Sequence, residues 1–254
     1  MKHAIIGSGV IGIATGTWLE ANGQTVIYND IRADTIKTLK EQGHTVTNNP
    51  KTIKNIDITW ICTAEWHVED AIKSIGILSQ HNLVIRSTTL PGTVEHLTEK
   101  YKLPSVAHVP EFLKASTPLE DIFNPDRIVI GSFSDQLIKR LKQIFKTQHV
   151  PILVTDPTTS ELIKLTSNAW LSTQLGFWGE IYRISIELLL NPQEVANAVT
   201  LDKRISTYGS KQLGKSFGGF CLIKDLRAMM KLFEQHDLSP EFFKTIIKRN
   251  EELK

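Results

Sequence analysis

The chain has 254 residues, 41% of them hydrophobic and 22% charged, with a formal net charge of +2. That is enough to bury a full core as one large or two modest domains. The spread of Lys and Arg leaves no basic footprint for nucleic acid or a membrane surface, and no run of 18 or more apolar residues spans a bilayer.

Up to Thr155, short β-rich runs alternate with helical patterns. Strands are expected at 4–6, 25–28, 57–62, 83–86, 106–109, 127–130 and 152–154, and amphipathic helices at 10–21, 33–41, 68–79, 93–100 and 135–146. Such alternation implies right-handed βαβ crossovers and a parallel sheet covered on both faces. After Asp156-Pro157 the β-runs stop. A helical pattern of about 30 residues, 160–189, carries Leu162, Leu165, Leu171, Leu175, Trp178, Ile181 and Tyr182. Helices restart at Asn191-Pro192 and Ser239-Pro240, each read as an N-cap followed by a first-turn proline. The fold class is therefore α/β, a Rossmann-type sheet domain over 1–157 followed by an all-helical domain over 158–254, interrupted only between 201 and 220.

Gly7-Ser8-Gly9-Val10-Ile11-Gly12 closes the first strand and opens the first helix, and the next strand ends at Asp30. Glycines in this register allow a tight turn and close approach of a pyrophosphate to the positive end of a helix, so a dinucleotide is expected here. Asp30 should hold the adenosine ribose diol, favouring NAD over NADP, although Arg32 stands nearby. Thr88, Thr89 and Gly92 follow the fourth β-run at its C-terminal end, where ligands of parallel sheets bind; alone they suggest only a loop. Glu111 by itself reads as a loop acid and Cys62 as core.

On the long helix, Lys164 and Asn168 form a stripe with Ser172, Gly176 and Gly179; from spacing, it suits a solvated face better than an active-site face. Cys221 lies in Ser216-Phe217-Gly218-Gly219-Phe220-Cys221-Leu222-Ile223-Lys224-Asp225, and can be read either as a packed loop cysteine or as a nucleophile. The two cysteines are far apart, with no CxxC or Cys/His spacing. No zinc site, other metal or disulfide framework is expected, and a cytoplasmic location fits. The early glycines argue against a targeting segment.

Together these segments resemble the nucleotide-sugar dehydrogenases, the UDP-glucose 6-dehydrogenase and GDP-mannose 6-dehydrogenase family, which oxidise a sugar's primary alcohol to a carboxylate. The matches run in one order: the glycine loop, Ser87-Thr88-Thr89-Leu90-Pro91-Gly92-Thr93, Pro110-Glu111-Phe112-Leu113, Asn124-Pro125-Asp126-Arg127-Ile128-Val129-Ile130-Gly131, Glu161-Leu162-Ile163-Lys164 with Asn168-Ala169, Arg204-Ile205, and Phe217-Gly218-Gly219 with Cys221 and Lys224-Asp225.

The resemblance implies that Cys221 captures the aldehyde as a thiohemiacetal and carries a later thioester. It implies that Lys164 and Asn168 stabilise the oxyanion, Asp225 orients water or Lys164, Glu111 is the base for thioester hydrolysis, and Thr88 contacts the reacting centre. NAD would be held by Gly7, Gly9, Val10, Ile11, Gly12, Asp30, Arg32, Thr88 and Lys224. The sugar or nucleotide sugar would be held by Phe112, Leu113, Lys114, Phe217 and Gly218, with Arg204 reaching a sugar in the neighbouring subunit of a homodimer built on the long helix. The 160–189 helix is also too long and too apolar for one small helical domain to cover, so it is expected to pack against its two-fold mate, with Trp170, Leu171 and Trp178 as contacts.

The departures from the family pattern are Ala115-Ser116, Val109, Phe220, Gly179 and Ala64-Glu65, so an altered sugar pocket is expected. Family members continue into a second Rossmann-like domain beyond the point matching Lys254, and its absence implies weaker turnover unless another chain supplies it. The competing expectations are a lapsed NAD-binding, oligomer-forming relic and a compact hydroxyacid dehydrogenase, which would not need Cys221.

Overall fold

A computed structural model describes residues 1–76, 81–218 and 220–253, with only the backbone described at Phe220. The chain divides into two compact units, Met1–Lys164 and Leu165–Lys254.

The first unit is built on an eight-stranded sheet of order β3-β2-β1-β4-β5-β6-β7-β8. Its strands are β1 Lys2–Ile6, β2 Thr25–Asn29, β3 Val46–Thr47, β4 Ile58–Ile61, β5 Asn82–Ile85, β6 Ser105–His108, β7 Ile128–Ser132 and β8 Ile152–Thr155. The helices between them are α1 Val10–Ala21, α2 Ala33–Glu41, α3 Val68–Ser74, α4 Thr93–Tyr101, α5 Pro118–Phe123 and α6 Asp135–Phe145. The expected helix at 68–79 ends in residues partly outside those described.

The inner strands β4 and β7 read as unbroken apolar runs because both their faces are buried, whereas the edge strands β3 and β8 are partly exposed. Ile5, Trp60, Cys62 and Val84 point into one core, with Trp18 stacked on Phe145 at 5.2 Å. Ile6, Ile61, Leu83 and Ile85 point into the other. Burial pushes the Cys62 thiol up to about 12, as befits a core cysteine.

The sheet is parallel except where β6 meets β7 antiparallel. The segment between them contains α5, a single short helix that the residue pattern did not suggest, as it did not suggest the two-residue β3. Strand order reverses direction at β1, with β2 on one side and β4 on the other. The crevice at such a switch point, past the C-terminal ends of the strands, is where doubly wound sheets bind ligands.

α7, Pro157–Glu187, begins in the first unit and continues into the second, which also holds α8 Pro192–Val199, α9 Phe220–Gln235 and α10 Glu241–Glu251. Asn191 caps α8 through the Gln193 N–H at 3.0 Å, with Pro192 in the first turn. At α10 the cap is Pro240 itself, one residue later than expected.

The stripe on α7 is buried rather than solvated: Lys164, Asn168 and Ser172 are all under 9% exposed. Further along α7, a β-carbon on Gly176 would meet Ile246 of α10 at 3.3 Å and one on Gly179 would meet Leu253, just past α10, at 2.7 Å, so small residues admit the C-terminal segment. Trp178 is also corrected. It is 3% exposed, packed where a β-carbon on Gly209 would come within 2.6 Å, and it is not available to a partner.

Candidate active site

The chain turns out of β1 at Gly7, whose φ is +90°. Gly12 must approach that turn: a β-carbon there would lie 2.0 Å from the Gly7 carbonyl oxygen. At Gly9, by contrast, a β-carbon would meet none of the described residues within 4 Å. The space over Gly9 is open, and the N-terminus of α1 behind it has no side-chain cap. Backbone N–H groups at a helix start, beside a position with no side chain, fit a pyrophosphate.

The cleft in front of them, about 550 Å³, is lined by Gly7, Gly9, Asp30, Arg32, Cys62 and Thr63 among others. Val10 is exposed and Ile11 half-buried against the sheet core. Asp30, at the end of β2, accepts from the Ser8 N–H at 2.8 Å and from the Arg32 N–H and Nε at 2.9 and 3.0 Å. Burial raises the Asp30 carboxyl, but the Arg32 bonds and charge outweigh it and hold it below the ordinary carboxylate range. A ribose diol would reach Asp30 where the exposed Arg32 guanidinium now lies. These residues fit NAD.

A second cluster lies where α7 starts. Lys164 Nζ is 3.2 Å from Glu111 Oε1, both buried, and sits 5.5 Å from the centre of the Phe112 ring. Arg127 stacks on the same ring at 4.0 Å. The Glu111 carboxylate also accepts the Leu113 N–H at 2.7 Å, which sets the turn of this loop. Leu113 is half-buried. Lys114 is exposed and tied to Asp121 at 3.1 Å.

Thr88 is half-buried on the loop after β5. That loop is gripped from α7 in two places. Nε2 of His108 donates to the Ser87 carbonyl at 3.3 Å, so Nδ1 accepts from the Ser160 hydroxyl at 2.9 Å. Burial pushes His108 down to about 3, and it is neutral. Glu161 takes hydrogen bonds from Thr89, Gly92 and Val94, while burial pushes its carboxyl up to about 7.

In the second unit, Asn168 Nδ2 donates to Asp225 Oδ2 at 2.5 Å, and Lys224 Nζ is 2.6 Å from Asp225 Oδ1. Asp225 is buried, and its Oδ2, which can only accept, turns the NH₂ of the Asn168 amide toward it. Cys221 is exposed, on the second residue of α9, where the start of a 16-residue helix favours an anion. The approach to it is fixed by Asn250, which accepts the Phe217 N–H at 2.7 Å and donates to its carbonyl at 2.8 Å. Gly218 is exposed, and Gly219 lies outside the described residues. Arg204 is exposed, its guanidinium on Asp202 at 2.6 Å.

The expected residues thus fall into three groups: the glycine loop with Asp30 and Arg32; Glu111, Phe112 and Lys164; and Asn168, Lys224 and Asp225 on the unit that carries Cys221. Lys164 and Asn168 are one turn apart on α7. Residue reasoning passed over His108, Ser160, the role of Glu161, and Asn250. His108 alone stands in an apolar stretch, a signal that points to burial; Ser160, Glu161 and Asn250 sit among polar neighbours and carry no such signal.

Residues 45–149 match the model of the UDP-glucose/GDP-mannose dehydrogenase family NAD binding domain, and residues 158–252 match the central domain of the same family. The UDP-glucose 6-dehydrogenase YwqF of Bacillus subtilis is 29% identical over 98% of this chain and 66% of its own length. The UDP-glucose 6-dehydrogenase of Rickettsia conorii is 35% identical over 73% of this chain and 44% of its own. The chain therefore spans less than two thirds of the length of these relatives. A UDP-glucose dehydrogenase structure from the archaeon Pyrobaculum islandicum superposes with a TM-score of 0.90 at 26% identity, over 99% of this chain and 68% of that one. A 3-hydroxyisobutyrate dehydrogenase from Mycobacterium tuberculosis, at 12% identity and a TM-score of 0.84, shares the fold. With the two domain models in sequence and the NAD cleft at the sheet's switch point, the chain belongs to the UDP-glucose/GDP-mannose dehydrogenase family, whose NAD-binding and central domains it carries.

Proposed function

We propose that the chain oxidises the primary alcohol of a nucleotide sugar to a carboxylate in two hydride transfers, with Cys221 holding the intermediate. The observation that supports this most is the pair Lys164 and Asn168, one turn apart on α7, each held by a buried carboxylate, Glu111 and Asp225. Bound in the cleft over Gly9, NAD supplies the hydride acceptor.

Lys164 keeps donors for the oxygen of the reacting carbon beyond the one it gives Glu111. Asn168, with one amide hydrogen on Asp225, has the other for the same oxygen. The Cys221 thiolate adds to the aldehyde carbon, and the resulting thiohemiacetal gives up the second hydride to become a thioester. Glu111 takes the proton of the water that hydrolyses it, and Thr88 contacts the reacting centre. Phe112, Leu113, Lys114, Phe217 and Gly218 shape the sugar site.

The chain works as a homodimer through α7, with Arg204 reaching the partner's sugar. Trp170, Phe177 and Ile184 support this: all three are exposed at seven-residue spacing on one helix.

Product analysis with UDP-glucose and GDP-mannose tests the chemistry. Wild type is expected to form two NADH per sugar, and Cys221→Ala to stop at or before the aldehyde. Full acid formation by the variant would remove Cys221 from the mechanism. Inactivity of both proteins would favour a lapsed, NAD-binding relic.

A further inference from the structure

Glu161 lies one turn before Lys164 on α7 and is fully buried at 0% exposure. Its carboxylate takes three hydrogen bonds from a single segment. Oε1 accepts from the Thr89 hydroxyl at 2.7 Å and the Val94 N–H at 3.0 Å, and Oε2 accepts from the Gly92 N–H at 2.7 Å. Gly92 is the N-cap of α4 and has no side chain to satisfy the first-turn N–H groups. Glu161 therefore supplies, from another element, the cap that α4 lacks. One residue earlier on α7, Ser160 holds His108, which holds the Ser87 carbonyl. The loop that carries Thr88 is thus fastened on both sides of that residue to one turn of α7.

We infer that Glu161 is a positioning residue, fixing the Thr88 loop to the turn of α7 that presents Lys164, so that the two reach the nicotinamide half of the site in register. The inference rests on the roles proposed above for Thr88 and Lys164. It also explains why an acid, rather than an amide, occupies this position. Three donors converge on two oxygens, and either orientation of a glutamine turns its NH₂ toward a backbone N–H.

Glu161→Gln and Thr89→Val test this against wild type. Amide hydrogen exchange is followed over residues 87–96, and calorimetry compares NAD with ADP-ribose, which lacks the nicotinamide. Glu161→Gln is expected to exchange at least tenfold faster in this segment and to bind NAD at least threefold more weakly, with ADP-ribose affinity within twofold of wild type. Thr89→Val, which loses one bond of the three, should exchange at least threefold faster and decides the question if Glu161→Gln does not fold. Unchanged exchange, or an equal loss of NAD and ADP-ribose, would overturn the inference. Failure of wild type to bind NAD would instead overturn the cofactor assignment, and the exchange measurement would still judge the clamp.

Discussion

Asn250 should be among the most costly polar residues in the second unit to lose, although its side chain bonds backbone rather than an expected catalytic group. Its amide satisfies both backbone groups of Phe217, which is itself buried. Asn250→Ala leaves a buried N–H and a buried C=O without their partner, and each such group costs about 1–3 kcal/mol. Allowing one of the two to relax toward water, the loss should be about 2 kcal/mol, equivalent to a drop in Tm of roughly 8–16 °C if the second unit, Leu165–Lys254, unfolds by itself. Asn197→Ala, at an exposed asparagine whose side chain accepts from Gln193 on the helix surface, is the control and should stay within about 0.5 kcal/mol of wild type. Urea denaturation followed by circular dichroism measures both. If Asn250→Ala unfolded within about 0.5 kcal/mol of wild type, the Phe217 backbone would be satisfied some other way, and Asn250 would not set the approach to Cys221.

Asp30→Ala should weaken NAD roughly ten- to a hundredfold in calorimetric titration, the loss expected for hydrogen bonds to a charged acceptor, while changing NADP far less; a wild-type preference for NADP would refute the ribose assignment. His108 has a folded-state value near 3, below the 6.5 it has when unfolded, so below pH 6.5 the unfolded chain takes up a proton that the folded chain refuses, and stability is lost as the pH falls. Between pH 7 and 5 wild type should therefore lose about 2 kcal/mol relative to His108→Gln, with the opposite drift of Glu161 cancelling because both proteins contain it; parallel denaturation curves at the two pH values would rule this out. Light scattering at tens of micromolar should give a dimer for wild type and a monomer for Trp170→Glu, and a monomeric wild type would remove the α7 interface.

What could be read in the residues was whatever depends on near neighbours in sequence. The glycine loop is legible because Gly7, Gly12 and the start of α1 do their work within six residues of one another, and Asp30 because its place is the end of the adjacent strand. The direction of β7 was not legible. It depends on where the chain travels between Val109 and Arg127, and no residue pattern reports that path. The buried stripe of α7 was misjudged for a related reason. Lys164 and Asn168 look solvated until the carboxylates that hold them are known, and Glu111 and Asp225 lie more than fifty residues away in opposite directions along the chain. Trp178 resembled an interface residue because a large aromatic on a long helix needs cover; the missing side chain at Gly209 makes room for that cover within the same unit. Glu161 shows the limit most sharply. Its sequence context is that of a helix acid one turn from a lysine, the usual setting of a surface ion pair. Its actual partners are a hydroxyl 72 residues earlier and two amides at a helix start that has no side-chain cap of its own. A bare helix start and a buried acid each look anomalous alone, and each accounts for the other once the fold brings them together.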